Sequence, residues 1–251
     1  YMPITLMLLA LIFRGVAFEF RWRTRRWKPV WDVAFFGGSL TAALMQGIAL
    51  GALVQGIEVT DRAYSGGWWD WLSPFSILTG IAVATGYALL GATWLILKTT
   101  GPLQTRFRQQ AKPLALATLG FVAFVSLATP FQDSVYFDRW FAWPGILLTL
   151  PVPILVAIAA WRLFEGLAGG RDLAPFLAAQ SIFVLCFAGI GISFYPHIVP
   201  PSLTIQEAAA PPESLAFTLV GTAILVPIIL AYTAYAYWVF RGKVDAETGY
   251  H

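Results

Sequence analysis

Residues 33–57 read VAFFGGSLTAALMQGIALGALVQGI and contain no charged side chain. About 20 helical residues cross the hydrocarbon core of a bilayer, which is about 30 Å thick. In lipid an open strand leaves backbone groups unpaired, and a barrel strand would alternate apolar and polar residues. The stretch therefore predicts a membrane-spanning α-helix. Gly47 and Gly51 form a G-x-x-x-G pattern within it, which predicts close packing against a neighbouring helix.

Six further apolar runs flank this stretch. Together they predict seven spanning helices, near residues 2–20, 33–57, 75–97, 113–130, 143–161, 174–195 and 214–240. Neither an internal repeat nor a low-complexity linker divides the chain. We therefore expect an all-α integral membrane protein, a polytopic helical bundle in which residues 1–251 form a single integral membrane domain.

The composition of the whole chain agrees with a membrane location. Of its 251 residues, 58% are apolar and 12% are charged, whereas soluble domains are near half apolar and a quarter charged. The net charge is only +3. The apolar residues also lie in blocks that a small globular core could not bury. These features disfavour a soluble enzyme, a disordered chain and a nucleic-acid-binding protein.

Lysine and arginine alternate between abundant and scarce along the predicted connecting segments. Thirteen of the 16 lie in residues 21–32, 98–112, 162–173 and 241–251. The segments between these hold only Arg62 and Arg139. The positive-inside rule then predicts a cytoplasmic C-terminus and an outer position for residue 1. Because an odd number of helices that begins outside needs a preceding segment, we expect at least one further helix before residue 1.

Arg14 and Glu19 are the only charged residues inside the predicted spans. A charge at such depth costs about 3 kcal/mol on insertion scales and usually faces the bundle interior or water. Five helical positions turn the two side chains about 140° apart, so we expect each to have a separate partner. Two interpretations stay open. Either Arg14 snorkels or pairs structurally and Glu19 is solvated, or Glu19 is a proton-entry acid and Arg14 holds a carboxylate or propionate.

Side chains that bind haem or metal are scarce. The chain contains His197, His251, Met2, Met7, Met45 and Cys186 as its histidines, methionines and cysteine. Haem in a helical bundle needs inward-facing His or Met, and iron–sulfur and structural zinc sites need several Cys or His. We therefore expect no catalytic residue, no metal and no cofactor on this chain itself. The scarcity of such side chains favours the interpretation that this chain is a supporting subunit of a larger complex.

Two other functions remain as alternatives. Pro151, Pro153 and Pro227 kink or unwind helices, and broken helices occur at transporter sites. A permease-like small-solute transporter is therefore one alternative, and its solute would bind near the amides Gln46, Gln55 and Gln180. A purely structural membrane scaffold subunit is the other.

A series of short stretches points to a family. The sequence LALIFRGVAFEFR at residues 9–21 combines an arginine, an acid and a second arginine at the end of an early helix. Further stretches follow in the order WD (31–32), GALVQG (51–56), LSPF (72–75), GAT (91–93), YPHIVPPS (195–202) and VPIILAYTAYAYW (226–238). In this order they resemble subunit II of the cytochrome bd-type quinol oxidases, including the cyanide-insensitive oxidases, with an N-terminal part missing.

The resemblance implies a non-haem subunit II that supports a haem-bearing subunit I. Subunit I would carry haem b and haem d. The complex, a quinol:oxygen oxidoreductase of the bacterial plasma membrane, would oxidise quinol, reduce oxygen to water and generate proton-motive force. In some members a structural quinone and a small single-helix accessory subunit are also present, besides membrane lipid. The acidic Trp-Asp-Gly-Asn-Glu-Thr-Trp segment of the family would precede residue 1, so its proton-path acids have no counterpart here.

Overall fold

The computed structural model describes residues 1–60 and 63–244, and most of these residues are helical. In chain order the elements are α1 (Met2–Arg23), α2 (Lys28–Gln55), β1 (Val59–Thr60), β2 (Ala63–Tyr64), α3 (Pro74–Lys98), α4 (Gly101–Ala128), α5 (Ser134–Phe141), α6 (Ile146–Thr149), α7 (Pro151–Ala168), α8 (Leu173–Phe194), β3 (His197–Val199), β4 (Leu203–Thr204), α9 (Ile205–Ala208) and α10 (Pro212–Val239). Within this described part, seven helical segments are long and apolar enough to cross a membrane. The predicted all-α, polytopic class is confirmed.

Apart from α6, which belongs to the fifth span, the short elements lie outside the spans. Strands β1 and β2 form one antiparallel ribbon, and β3 and β4 form another. Helix α5 follows a 3-10 turn at the end of α4, and the Asp133 side chain caps it by accepting a hydrogen bond from the Val135 N–H at 2.9 Å. These elements occupy the connections that the sequence predicts to be poor in lysine and arginine.

The fourth span begins earlier than predicted. Its predicted range is 113–130, with a connecting segment over 98–112, whereas α4 begins at Gly101 and only Thr99 and Thr100 connect it to α3. Hydropathy assigns 101–112 to a loop because these residues are polar. Most of them are nevertheless good helix formers, and a helix can continue beyond the hydrocarbon layer. The helix also passes through Pro113, at the cost of one backbone hydrogen bond.

The fifth span ends later than predicted. Its predicted range is 143–161, whereas α6 and α7 together cover Ile146–Ala168. The last turns of α7 carry Arg162 and Glu165, whose side chains pair at 3.6 Å with i,i+3 spacing. Such a pair supports a helix where it leaves the membrane. The ends of the other five spans lie within five residues of their predicted positions.

Glycines bring α2 close to both of its neighbours. A Cβ atom on Gly51 would lie 2.6 Å from a backbone Cα atom of α3, and one on Gly47 would lie 2.6 Å from the Thr79 carbonyl oxygen. These distances confirm the predicted G-x-x-x-G packing. On the other side of α2, a Cβ atom on Gly38 would lie 2.6 Å from the Ala10 carbonyl oxygen of α1.

The main core lies between α3, α4, α7 and α8. Its buried side chains are Leu89, Ala92, Ile96, Ala111, Ala115, Ala159, Leu163, Leu167, Ala178, Ala179 and Ile182. More than half of them are alanine. Small side chains let helix backbones approach closely, which matters in lipid because hydrophobic burial does not drive helices together there.

Helix α10 packs little against the rest of the described chain. None of its residues is buried, and it continues as one helix through Pro227, so it is not unwound there. It touches α3 near its C-terminal end, where the Tyr237 ring meets the Trp94 ring edge-on at 5.9 Å. Most of the apolar surface of α10 is therefore left open.

Candidate functional site

The connecting segments meet in two groups, one at each end of the bundle. At one end, Arg108 of α4 contacts the connection between α7 and α8, and Lys98 contacts the end of α10. At the other end, the Tyr136 hydroxyl of α5 donates a hydrogen bond to the Val54 carbonyl oxygen of α2 at 3.0 Å. We call these the basic end and the opposite end. The predicted segregation of basic segments to one end is confirmed for the described residues; Arg62 lies outside them.

Arg14 lies on α1, nine residues before the end of that helix at the basic end. Its guanidinium carbon is 5.6 Å from the centre of the Phe35 ring on α2, a cation–π arrangement. The side chain is exposed, and it forms no salt bridge with any acid in the described chain. The structure thus gives Arg14 an aromatic neighbour, and no described residue supplies the predicted anion.

Glu19 lies about 8 Å further along the axis of α1. Its side chain is exposed and makes no hydrogen bond or ion pair within the described part of the chain. The structure does not bring Glu19 and Arg14 together, in agreement with their spacing. At the same end, Arg21 of α1 pairs with Asp32 of α2, which fixes the turn between these helices and leaves Glu19 accessible.

Asp172, just before α8, joins three segments of the basic end. One carboxylate oxygen accepts a hydrogen bond from Arg108 at 2.8 Å, and the other accepts one from Lys243. The Arg108 guanidinium also donates to the carbonyl oxygens of Gly170 and Arg171, each at 3.2 Å. The hydrogen bond from Lys243 lowers the pKa of Asp172, and the charges of Lys243 and Arg108 add to this effect against burial, which raises it. We call Asp172, Arg108 and Lys243 the Asp172 cluster.

A second set of bonds holds the segment after α10 against the end of α3. The Lys98 ammonium donates to the Phe240 carbonyl oxygen at 2.7 Å, and the Val244 N–H donates to the Lys98 carbonyl oxygen at 2.8 Å. The same ammonium lies 5.1 Å from the centre of the Trp94 ring. The polar contacts of α10 with α3 are therefore at the basic end.

The sequence does not single out the Asp172 cluster. Arg108 and Lys243 are 64 and 71 residues away from Asp172 along the chain, so no local spacing connects them. The only signal in the sequence is an acid two residues before a predicted span, in a segment that also holds Arg162, Glu165 and Arg171.

The described residues hold no cluster of metal-binding side chains and no histidine within the spans. In residues 1–60 and 63–244 no group of three or more His, Cys, Asp and Glu could hold a metal. The one histidine of that part, His197, lies in β3 at the opposite end, and His251 lies outside the described residues. Haem in a helical bundle needs ligands that face inward from its helices. No reaction step is therefore assigned to a haem on this chain.

Seven apolar spans, with ion pairs such as those of the Asp172 cluster at the basic end, define a polytopic α-helical membrane protein. The family model described as cytochrome bd terminal oxidase subunit II matches residues 1–240. The chain belongs to this family. It is a bd-type quinol oxidase subunit II, and thus part of a terminal oxidase, an oxidoreductase complex, as the resemblance implied.

Named relatives agree with the family. Cytochrome bd-I ubiquinol oxidase subunit 2 of Escherichia coli (strain K12) is 30% identical over 286 aligned residues, which cover 98% of this chain and 75% of the relative. Cytochrome bd ubiquinol oxidase subunit 2 of Bacillus subtilis (strain 168) is 29% identical over 255 residues, covering 98% and 73%. The structure of bd oxidase from Geobacillus thermodenitrificans superposes with a TM-score of 0.70 at 15% identity, covering 94% of this chain and 72% of that one. This last likeness concerns the fold.

Proposed function

We propose that this chain is the non-haem subunit of a heterodimer in the bacterial plasma membrane, beside a haem-bearing subunit I. Haem b and haem d on that partner supply the electron transfer and the oxygen chemistry. The complex oxidises quinol, reduces oxygen to water and generates proton-motive force. The observation that supports this most directly is the family match over residues 1–240, together with relatives named as ubiquinol oxidase subunits.

The open surface of α10 supports the presence of a partner. Its large apolar side chains point outward, and Phe217 is 84% exposed. Helices in a polytopic bundle gain stability by packing against other helices rather than against lipid alone. Subunit I packs against α10 in this proposal.

Arg14 and Glu19 are the residues of this chain that the proposal connects with protons. By the positive-inside rule the basic end, with the C-terminus, faces the cytoplasm. Glu19 is exposed near that end and takes up protons for oxygen reduction. Arg14 lies deeper and is exposed towards a neighbour, so its anionic partner is a carboxylate or a haem propionate of subunit I.

A structural quinone, membrane lipid and a small single-helix accessory subunit are further parts of the proposal. An apolar groove of about 270 Å³ lies between α1 and α2, where its lining includes Leu6, Phe13 and Gly37. A groove of this kind supports the binding of an isoprenoid tail, because the tail is apolar and flexible.

The transporter alternative finds no support in the geometry of the predicted solute-binding amides. Gln46 accepts a hydrogen bond from the Tyr87 hydroxyl at 2.9 Å, and Gln55 accepts one from the Ser73 hydroxyl. Gln180 lines a different cleft, beside α10. Gln46 and Gln55 are thus bonded to side chains of α3 and its N-cap residue, and of the three amides Gln180 is the one that lines the cleft.

Affinity isolation of the tagged chain from its native membranes tests the proposal. We expect a second membrane polypeptide to co-elute in a fixed ratio, together with haem absorbance. After the two polypeptides are separated in detergent, the haem should remain with the partner. Stoichiometric haem on the isolated chain would contradict the proposal.

A further inference from the structure

A cleft of about 610 Å³ lies between α3, α8 and α10, next to the basic end. It is lined by Leu90, Gly91, Trp94, Phe176, Gln180 and Tyr237. The Trp94 ring lies 5.2 Å from the ring of Phe176 and 5.9 Å from that of Tyr237. From residue 90 to residue 98, α3 rises about 12 Å along this cleft. The walls are thus mostly apolar and aromatic, and they run towards the membrane surface.

Three cations lie near the mouth of the cleft, which is the end of the cleft that faces the basic end. Lys98 lies one helical turn beyond Trp94, and its ammonium is 5.1 Å from the centre of that ring. Arg241 follows the end of α10 and stacks on Trp238 at 4.8 Å. Lys243 comes two residues later.

Among the described acids, one pairs with Lys243 and none pairs with Lys98 or Arg241. Asp172 is the carboxylate bonded here, and it pairs with Arg108 and Lys243. Lys98 and Arg241 form no salt bridge among the described residues, and their recorded hydrogen bonds go to backbone carbonyl oxygens. Among the described residues, Lys98 and Arg241 near the mouth are therefore cations without an acidic partner, and an anion placed there is attracted.

We infer that the cleft binds an anionic phospholipid, with one acyl chain against Trp94 and Phe176 and the phosphate at the Lys98 side of the mouth. Basic pockets between spanning helices on the cytoplasmic side are suited to anionic headgroups. A neutral quinone or an apolar partner helix would use the apolar walls and bring no negative charge to Lys98 and Arg241. The bound lipid fills the space between α10 and the main core.

Two substitutions address the two halves of the site separately. Lys98→Gln removes the charge at the mouth. Gly91→Leu fills the cleft, and the fold tolerates it because a Cβ atom on Gly91 would have no atom within 4 Å. Lys28→Gln, a cation of the same end but on α2, and Gly120→Leu, which is equally unobstructed on α4, are the matched controls.

The test uses the complex as it is purified, stripped of lipid in detergent and then incubated with vesicles of phosphatidylglycerol or phosphatidylcholine. Lipid retained after re-isolation is counted by native mass spectrometry. We expect the wild type to retain phosphatidylglycerol in preference to phosphatidylcholine. Lys98→Gln should weaken that retention about fivefold, the effect of one basic residue near an anionic surface. Gly91→Leu should abolish it, and both controls should behave as wild type.

Several results would overturn the inference. They are equal retention of the two lipids, retention by Gly91→Leu, or a quinone that is lost from Gly91→Leu in place of a lipid. The inference would also be overturned if the complex took up no lipid because the partner polypeptide covers the cleft. Lipid retention is measured without any oxidase activity. The result can therefore be interpreted even if the proposed oxidase function is wrong.

Discussion

Asp172 is the residue that connects most of the basic end. Replacement by Asn keeps the shape of the side chain and leaves Arg108 and Lys243 without their counter-charge. Since the pair is partly exposed, we expect Asp172→Asn to lower the free energy of unfolding by about 1 kcal/mol at neutral pH. Thermal unfolding in detergent measures this loss. Glu165→Gln, which removes a half-buried acid of the same end that pairs, among the described residues, only with its own segment, is the control and should change stability less.

The stabilisation by Asp172 also depends on pH. Its pKa is lowered from the ordinary 3.8 in the folded chain, so folding favours the ionised form. The contribution is therefore complete above the ordinary pKa and is lost as the pH falls below 3.8 through the folded value. We expect the wild type and Asp172→Asn to differ at neutral pH and to converge in acid. A difference that is independent of pH would contradict this account of the cluster.

Tyr136 of α5 bonds to the C-terminal turn of α2, at the opposite end of the bundle. Its hydroxyl bonds to the Val54 carbonyl, one of the final carbonyls that a helix cannot satisfy by itself. Tyr136→Phe should therefore cost about 1 kcal/mol of unfolding free energy, measured by thermal unfolding. Burial, with the charge of Asp133, raises the pKa of Tyr136 to about 12. The stability from the neutral hydroxyl should persist below pH 10.0, the ordinary pKa, and be lost as the pH rises towards about 12.

A substitution at Glu19 distinguishes a role of this chain in proton uptake from a purely structural role. If Glu19 takes up protons, Glu19→Gln should lower quinol oxidation and proton uptake of the assembled complex by about 10-fold or more, the usual scale of positioned proton transfer. Turnover with quinol and proton uptake in vesicles are the measurements, and Glu165→Gln is again the matched control. Unchanged rates in a fully assembled Glu19→Gln complex would favour the scaffold interpretation.

At the scale of elements, hydropathy locates the part of each helix that lies in lipid. The uncharged run 33–57 and its six counterparts identify all seven spans. The predicted start of α4 and the predicted end of α7 are wrong because both helices continue into polar sequence. Arg108 and Arg162 are compatible with a helix but not with the hydrocarbon layer. Hydropathy describes the solvent of a residue, and helix formation depends on other properties as well.

The candidate site is predicted only in part. Arg14 and Glu19 stand out because a charge within an apolar run is unusual. The Asp172 cluster and the cleft around Trp94 depend on contacts between α3, α8 and the segment after α10, which are far apart in the chain. Tertiary packing brings these residues together, and neither periodicity nor charge counting contains that information.

The packing of α2 against α3 can be tested at one glycine. Gly51→Val places a branched side chain where a Cβ atom alone would lie 2.6 Å from backbone of α3. We expect a loss of about 1–3 kcal/mol in unfolding free energy, the usual cost of overpacking. Gly37→Val on the same helix is the control, because a Cβ atom there meets nothing within 4 Å. Equal melting temperatures of the two variants would contradict the proposed close approach.

For the whole molecule, the main feature is what its surface leaves uncovered. Among the described residues, helix α10 has no buried residue, Arg14 is exposed and forms no salt bridge, and no histidine lies within the spans. Each of these features is accounted for if a second subunit covers α10, supplies the anion and carries the haems. The single chain then contributes its helices, its charges and its lipid contacts to a larger enzyme.

Oxygen consumption with quinol as the electron donor tests this central claim most directly. It is measured for the chain purified to homogeneity and for the complex isolated from native membranes, at equal concentrations. The account predicts oxygen consumption by the complex alone, with haem absorbance present only where the partner polypeptide is present. Quinol-dependent oxygen consumption by the chain free of any other polypeptide would contradict it.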